Sequence, residues 1–356
     1  MRIVQVIPYF CFGGAETMCE NLSYGLRNLG HEVLVISLYN RKTPISQRME
    51  QAGIRIVYLD KKPGLDISMV WKIANVLRRE KPDVVHTHLN TIKYGAAAAR
   101  LAGVKTCVHT VHNVAQKEAE GKAEKGISGF YFSRGWSIPV GLSPAVQKTI
   151  SQFYKMDKAK IPVIYNGIDL SRCIPKENYS LSKPISLLHI GRFNQQKNHL
   201  GLLRAFAEIQ KMFPNSRLGL VGEGELRPDV EAEAARLGLQ NRVRFLGSQS
   251  NVYPLLHQAD VFLLPSEFEG MPMTLIEAMG TGLPIVATAV GGVPDMLTDG
   301  TSAMLTPCDP DAVARACVSL LEREELRQQL GQAAKEQSVR FSAGFMAQEY
   351  VKVYER

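Results

Sequence analysis

Glu269 and Glu277 lie eight positions apart in the run Pro265-Ser266-Glu267-Phe268-Glu269-Gly270-Met271-Pro272-Met273-Thr274-Leu275-Ile276-Glu277. The apolar stretch just before it, Asp260-Val261-Phe262-Leu263-Leu264, predicts a buried parallel strand. Pro272 suits the first position of a helix, where a missing N–H costs nothing. Glu269 then falls in the loop at the strand's carboxyl end, and Glu277 more than a turn into the helix. Such a turn offers unpaired backbone N–H groups and the positive end of a helix dipole to an anion. A carboxylate beside it suits a neutral polyhydroxy group, since two anions repel. The pair predicts a ligand that is part phosphate and part sugar.

Other chemistry-bearing residues fall at the ends of other predicted strands. Strand 185–190 runs into Gly191-Arg192-Phe193-Asn194-Gln195-Gln196-Lys197-Asn198. There Arg192 brings a planar fork and Lys197 a point charge, a pair able to bracket a diphosphate. The first strand is followed by Phe12-Gly13-Gly14-Ala15, whose glycines let backbone approach a ligand closely. This is not the G-x-G-x-x-G pattern, which argues against a dinucleotide. Thr110-Val111-His112-Asn113 ends a further strand with a histidine. His86 and His88 flank Thr87 without the further ligands zinc needs. Asp309-Pro310-Asp311 begins a helix and is a cap rather than a magnesium site. No Ser/His/Asp arrangement and no P-loop signature is present.

Short β-branched runs must carry these loops. Strands are predicted at 2–7, 32–37, 54–58, 83–86, 105–111, 138–142 and 161–164, then at 185–190, 217–221, 242–246, 260–264, 284–287 and 302–305. Helical patterns fill the gaps, with Ser143-Pro144 and Asp309-Pro310 as start signals. Strict β–α alternation calls for parallel sheets covered on both faces, with ligands at the carboxyl ends of strands. The fold class is α/β: two doubly wound Rossmann-like domains facing each other. Residues 1–165 form the first, joined by a helix over 341–356 that offers Phe345, Tyr350, Val351 and Tyr354 for packing; residues 166–340 form the second.

The chain of 356 residues is 45% hydrophobic and 21% charged, ordinary for a globular protein of about two domains. No apolar run approaches a membrane span, and the first residues resemble a strand rather than a secretion signal. The six cysteines show no C-x-x-C spacing and are expected as free thiols in a reducing cytoplasm. Charge is uneven: residues 1–165 hold 23 Lys and Arg against 12 Asp and Glu, and the rest hold 19 against 22. The basic half points to an anionic partner. Nucleic acid is not expected, because aromatic residues are not interleaved in any recognisable module. Anionic lipid headgroups fit, so a cytoplasmic protein bound peripherally to the inner face of the plasma membrane is expected.

The order of these motifs resembles the retaining GT-B glycosyltransferases of family 4 over essentially the whole chain. Tyr165-Asn166-Gly167-Ile168-Asp169, Val221-Gly222-Glu223-Gly224 and Ala289-Val290-Gly291-Gly292-Val293-Pro294-Asp295 add to the likeness. The resemblance implies a hexosyl transfer from a UDP-, GDP- or ADP-sugar to a glycan or polyprenyl-diphosphate-linked acceptor, in surface-polysaccharide synthesis, with no cofactor and no metal. Arg192 and Lys197 would hold the donor diphosphate, with N–H groups of Gly13, Gly14, Met273, Thr274 and Leu275. Glu277 would accept from the ribose hydroxyls and Glu269 from a hydroxyl of the donor sugar. The loop from Gly247 to Val252 would meet the base, and His112 the transferred sugar or its phosphate. His112, Glu269, Arg192 and Lys197 would form the catalytic set. Met271-Pro272 replaces the family's Phe-Gly, and Asp295 its usual Glu.

The acceptor side is expected along Lys117 to Trp136, where Lys122, Lys125 and Arg134 mix with Phe130, Tyr131, Phe132 and Trp136. Two other readings remain open at this level: a non-hydrolysing sugar-nucleotide epimerase, and a non-catalytic basic surface-binding protein.

Overall fold

A computed structural model describes residues 1–11, 13–119 and 121–356; Phe12, part of the glycine turn, lies outside them. The chain divides into two compact units: Met1–Gly167 with Ser342–Arg356, and Ile168–Phe341.

Unit 1 holds β1 (Arg2–Ile7), β2 (Glu32–Ser37), β3 (Arg55–Tyr58), β4 (Val84–His88), β5 (Thr106–Val111) and β6 (Ile138–Gly141). They form one sheet in the order β3-β2-β1-β4-β5-β6, every pair parallel. Val4, Val6, Ile36 and Val85 pack against Met69, Ile73, Ala96 and Ala99 of helices Ser68–Glu80 and Ile92–Ala102. Val35 and Ile7 turn the other way, onto Cys19 and Met49 of helices Gly14–Asn28 and Pro44–Gln51. Apolar side chains thus leave the sheet on both faces, and both are covered by helices, as parallel strands require.

Unit 2 repeats the plan with β7 (Ile185–Ile190), β8 (Ser216–Val221), β9 (Val243–Gly247), β10 (Val261–Leu264), β11 (Ile285–Thr288) and β12 (Met304–Thr306). Its order is β12-β11-β10-β7-β8-β9, again all parallel. In each sheet the order reverses between the first and fourth strands, β1 and β4 or β7 and β10. At such a switch point the adjoining loops diverge and leave a crevice at the carboxyl edge.

The helix-start signals hold: Ser143 Oγ accepts from Val146 N at 3.2 Å, and an Asp309 carboxylate oxygen accepts from Ala312 N at 3.1 Å. Three expectations need correction. Residues 161–164 make no strand; Val163 bridges Gly141 alone, and Pro162 has no N–H to extend the pairing. Pro272 precedes the helix Met273–Thr281 as its N-cap, since its ψ of 121° is extended rather than helical. In the helix Ala343–Tyr354, Tyr350 and Tyr354 are buried, but Phe345 is exposed.

That last helix lies along Gly14–Asn28. Gly25 permits the approach: a Cβ there would sit 2.5 Å from Ala343 O and 2.9 Å from the Ala347 Cβ. Gly25→Ala is expected to lower unfolding stability by about 1–3 kcal/mol through overpacking, despite alanine's better helix propensity. Gly126, in the helix Lys122–Ser133, has open space where its Cβ would be. Gly126→Ala should therefore stabilise by up to about 1 kcal/mol. Urea denaturation of the two variants distinguishes the cases.

Candidate active site

The richest constellation sits at the switch point of unit 2, where the loops after β7 and β10 meet. Glu269 is buried, at 3% exposure. Its Oε1 lies 2.6 Å from Lys197 Nζ and accepts from Ser266 Oγ at 2.6 Å. Its Oε2 accepts from Gln196 Nε2 at 3.2 Å. Backbone bonds hold the two loops in register: Glu267 N donates to Gln196 O at 2.8 Å, and Asn198 Nδ2 to Pro265 O at 3.1 Å.

Local turn chemistry places Lys197. Asn194 Oδ1 accepts from Lys197 N at 3.2 Å, and Asn198 takes the left-handed conformation (φ 52°) before capping the helix His199–Met212 through Gly201 N. Asparagine tolerates that conformation better than most residues. The loop after β11 closes over Glu269: Gly292 N donates to Glu269 O at 3.2 Å, and Gly291 has φ 54°. A Cβ at Gly291 would run into that same carbonyl, so only glycine fits.

Arg192 stands apart from this group. Its side chain is 70% exposed and lies 3.6 Å from Glu225. The structure therefore joins Lys197 to Glu269 rather than to Arg192. At the N-terminus of Met273–Thr281, the N–H groups of Met273 and Thr274 precede any intrahelical acceptor. The buried Thr274 Oγ1 has no partner among the described residues. Glu277 is 8% exposed on the same helix.

Tyr253 is a neighbour of Glu277 that sequence reasoning missed. It is buried, and its phenol is pushed up first by burial and then by the Glu277 charge. The Cys173 thiol is raised to about 12 by the same two causes in the same order. An aromatic directly after the Gly247–Val252 loop was the available signal for Tyr253. Val252 itself is the N-cap of the short helix Tyr253–Gln258.

Comparison with known proteins gives a consistent family. The family described as Glycosyltransferase Family 4 matches residues 12–172, and Glycosyl transferases group 1 matches residues 174–337. The chain is a family 4 glycosyltransferase of the GT-B fold. It is 32% identical to the Escherichia coli UDP-Gal:alpha-D-GlcNAc-diphosphoundecaprenol alpha-1,3-galactosyltransferase, over 64% of this chain and 63% of that protein. It is 27% identical to the N-acetyl-alpha-D-glucosaminyl L-malate synthase of Bacillus anthracis, over 94% and 91% of the two chains. The fold matches Anabaena Alr3699/HepE, solved with UDP and glucose, with a TM-score of 0.88 at 21% identity, covering 100% of this chain and 99% of that one.

Unit 1 of this glycosyltransferase carries Gly13, Gly14 and His112. Gly13 is extended (φ −148°) and caps the helix Gly14–Asn28. His112 follows β5, half-buried, with its Nε2 3.1 Å from His88 Nδ1. His86 and His88 are wholly buried and satisfied by protein groups: His86 by Tyr354 OH and Thr110 Oγ1, both at 2.7 Å, His88 by Gln5 and His112. The segment expected to meet an acceptor has mostly inward aromatics. Phe132 is buried, and Tyr131 stacks on Trp136 at 5.6 Å, leaving Phe130 as the exposed one.

Lys197→Met leaves the Glu269 carboxylate buried without its counter-charge, and is expected to cost about 3–5 kcal/mol. The double variant Lys197→Met/Glu269→Gln should lose clearly less than the sum of the single changes, with a coupling of about 1–3 kcal/mol in a double-mutant cycle. Additive losses would show that the pair is not coupled in solution.

Proposed function

We propose that this glycosyltransferase moves a hexose from a nucleoside-diphosphate sugar to a lipid-linked or glycan acceptor of surface-polysaccharide synthesis, retaining the anomeric configuration. The observation that carries the donor side is the buried Lys197–Glu269 pair, with Glu277 on the helix whose N-terminus adjoins it. Lys197 and the N–H groups of Met273 and Thr274 supply positive potential for the diphosphate. Arg192, exposed and only loosely paired, swings from Glu225 to the same anion. Glu269 accepts from a hydroxyl of the sugar, and Glu277 from the ribose.

In this reading the bond from the anomeric carbon to the diphosphate breaks, and a bond to the acceptor oxygen forms on the same face. The acceptor's proton passes to the departing nucleoside diphosphate. The protein positions both partners and stabilises the charge that develops on the leaving group, with Lys197 and Arg192 in the place a metal ion would otherwise take. The uridine named for both the Escherichia coli relative and the Anabaena structure favours UDP as the carrier.

Support for a membrane surface comes from unit 1 rather than from the Lys117–Trp136 segment. Leu65, Ile67 and Trp71 are 70%, 67% and 56% exposed around the start of the helix Ser68–Glu80. Ile67 and Trp71 are four residues apart and share a helix face. Lys61, Lys62, Lys72, Arg78 and Arg79 accompany them along this stretch. An apolar patch with a basic rim suits the interface of an anionic bilayer. Among the described residues no helix is long and apolar enough to cross a membrane.

UDP at one hundred times its Kd should add about 2.7 kcal/mol to stability in a thermal-shift titration, with GDP and ADP adding less. Glu277→Ala should weaken UDP about tenfold to a hundredfold, the loss expected for a hydrogen bond to a charged group. Failure of all three nucleotides to stabilise the fold would sink the donor assignment. Co-sedimentation should occur with phosphatidylglycerol vesicles and not with pure phosphatidylcholine, and should fall more than tenfold when Leu65, Ile67 and Trp71 are all changed to Ser. Self-association through the same patch with no vesicle binding would overturn the membrane reading.

A further inference from the structure

A chain of hydrogen bonds with only one consistent direction leads from the helix Gly14–Asn28 to His112. It begins at Ser23, whose Oγ–H donates to Cys19 O at 2.8 Å. With its proton so used, Ser23 Oγ must accept, and the donor is Gln5 Nε2 at 2.6 Å. The same Gln5 amide nitrogen also faces Cys19 O at 3.4 Å, a carbonyl that cannot donate. This fixes the Gln5 side chain with its Oε1 toward β4, where it meets His88 Nε2 at 2.9 Å. A carbonyl oxygen only accepts, so His88 carries its proton on Nε2.

His88 is buried at 0% exposure, and burial, with His86 and His112 beside it, holds the ring well below its ordinary pKa. It is therefore neutral, and its Nδ1 presents a lone pair. The group facing that lone pair is His112 Nε2 at 3.1 Å, which must donate. Burial lowers His112 to about 4 despite the nearby Glu118 carboxylate, so His112 is neutral too. Its proton is already placed on Nε2. Nothing among the described residues hydrogen-bonds to His112 Nδ1.

We propose that Gln5 and His88 are positioning residues that lock His112 as its Nε2–H tautomer, so that Nδ1 presents an acceptor to ligand. A phosphate oxygen offers no proton to such an atom, whereas a sugar hydroxyl does. The relay thus selects the transferred sugar, not its phosphate, as the partner of His112. Only this last step rests on the glycosyltransferase donor reading; the tautomer assignment stands on the hydrogen bonds alone. Gln5 and His88 touch no ligand and act through the ring they orient.

The test is a long-range proton–nitrogen NMR spectrum of the full-length protein with labelled histidine. The expected result is protonated Nε2 and unprotonated Nδ1 for both His88 and His112, assigned by His88→Gln and His112→Gln. In Gln5→Leu the acceptor for His88 is gone, and the His112 proton is expected to shift to Nδ1. Wild-type His112 protonated on Nδ1 would overturn the relay. So would a folded Gln5→Leu with unchanged tautomers; if that variant does not fold, the wild-type spectrum decides. Gln5→Leu should lower kcat/KM for UDP-glucose about tenfold, the scale of one lost hydrogen bond, while binding bare UDP within about twofold of wild type. Equal loss for both ligands would show a general structural role and overturn the positioning assignment. Correct tautomers with no UDP binding would leave the relay standing and refute the donor reading alone.

Discussion

A carboxylate removed from water needs donors around it, and Glu269 obtains them from several loops at once. Lys197 and Gln196 come from the loop after β7, Ser266 from the loop after β10, and Gly292 reaches the Glu269 carbonyl from the loop after β11. β7 lies beside β10 only because the sheet order reverses between them, and β11 flanks β10 on its other side. The buried charge therefore pins the carboxyl edge of unit 2. It also explains why Lys197 turns inward while Arg192, five residues earlier, stays at the surface beside Glu225. The two cations thus differ in setting: Lys197 is largely buried against Glu269, and Arg192 is exposed beside Glu225.

Much of the architecture was legible from local pattern. Parallel strands covered on both faces give continuous β-branched runs, so twelve of thirteen expected strands formed close to where the pattern placed them. The thirteenth failed on Pro162, whose missing N–H the hydrophobic pattern does not register. Pro272 was misplaced for a different reason: its fixed φ fits both N-cap and first helical position, and only ψ separates them. Ser143 and Asp309 were read correctly because a cap is a contact over three residues. Lys197 and Glu269 were each singled out, but for separate tasks. Their contact spans 72 residues and depends on which strands are neighbours.

The histidines of unit 1 show the same limit more sharply. His112 was visible as a residue at a strand end, whereas Gln5 looked like an ordinary member of β1. Its amide matters because β1 pairs with β4, which pairs with β5, bringing Gln5, His88 and His112 into one line. Polar side chains inside a sheet are costly unless every donor finds an acceptor. Here that accounting leaves Nδ1 of His112 as the end of the chain. Tyr350 and Tyr354 close the neighbouring branch through Thr110 and His86, tying the last helix into the same buried layer.

That tie has a consequence for synthesis. Residues 168–341 form one uninterrupted stretch of chain, so unit 2 has all its strands once they have left the ribosome. Unit 1 is split by that stretch: its six strands are made first, but the helix that covers His86 and packs beside Gly25 is made after all of unit 2. The N-terminal sheet must therefore wait, with the face meant for Tyr350 and Tyr354 bare, through the synthesis of an entire second domain. The half of the chain translated first is the half completed last.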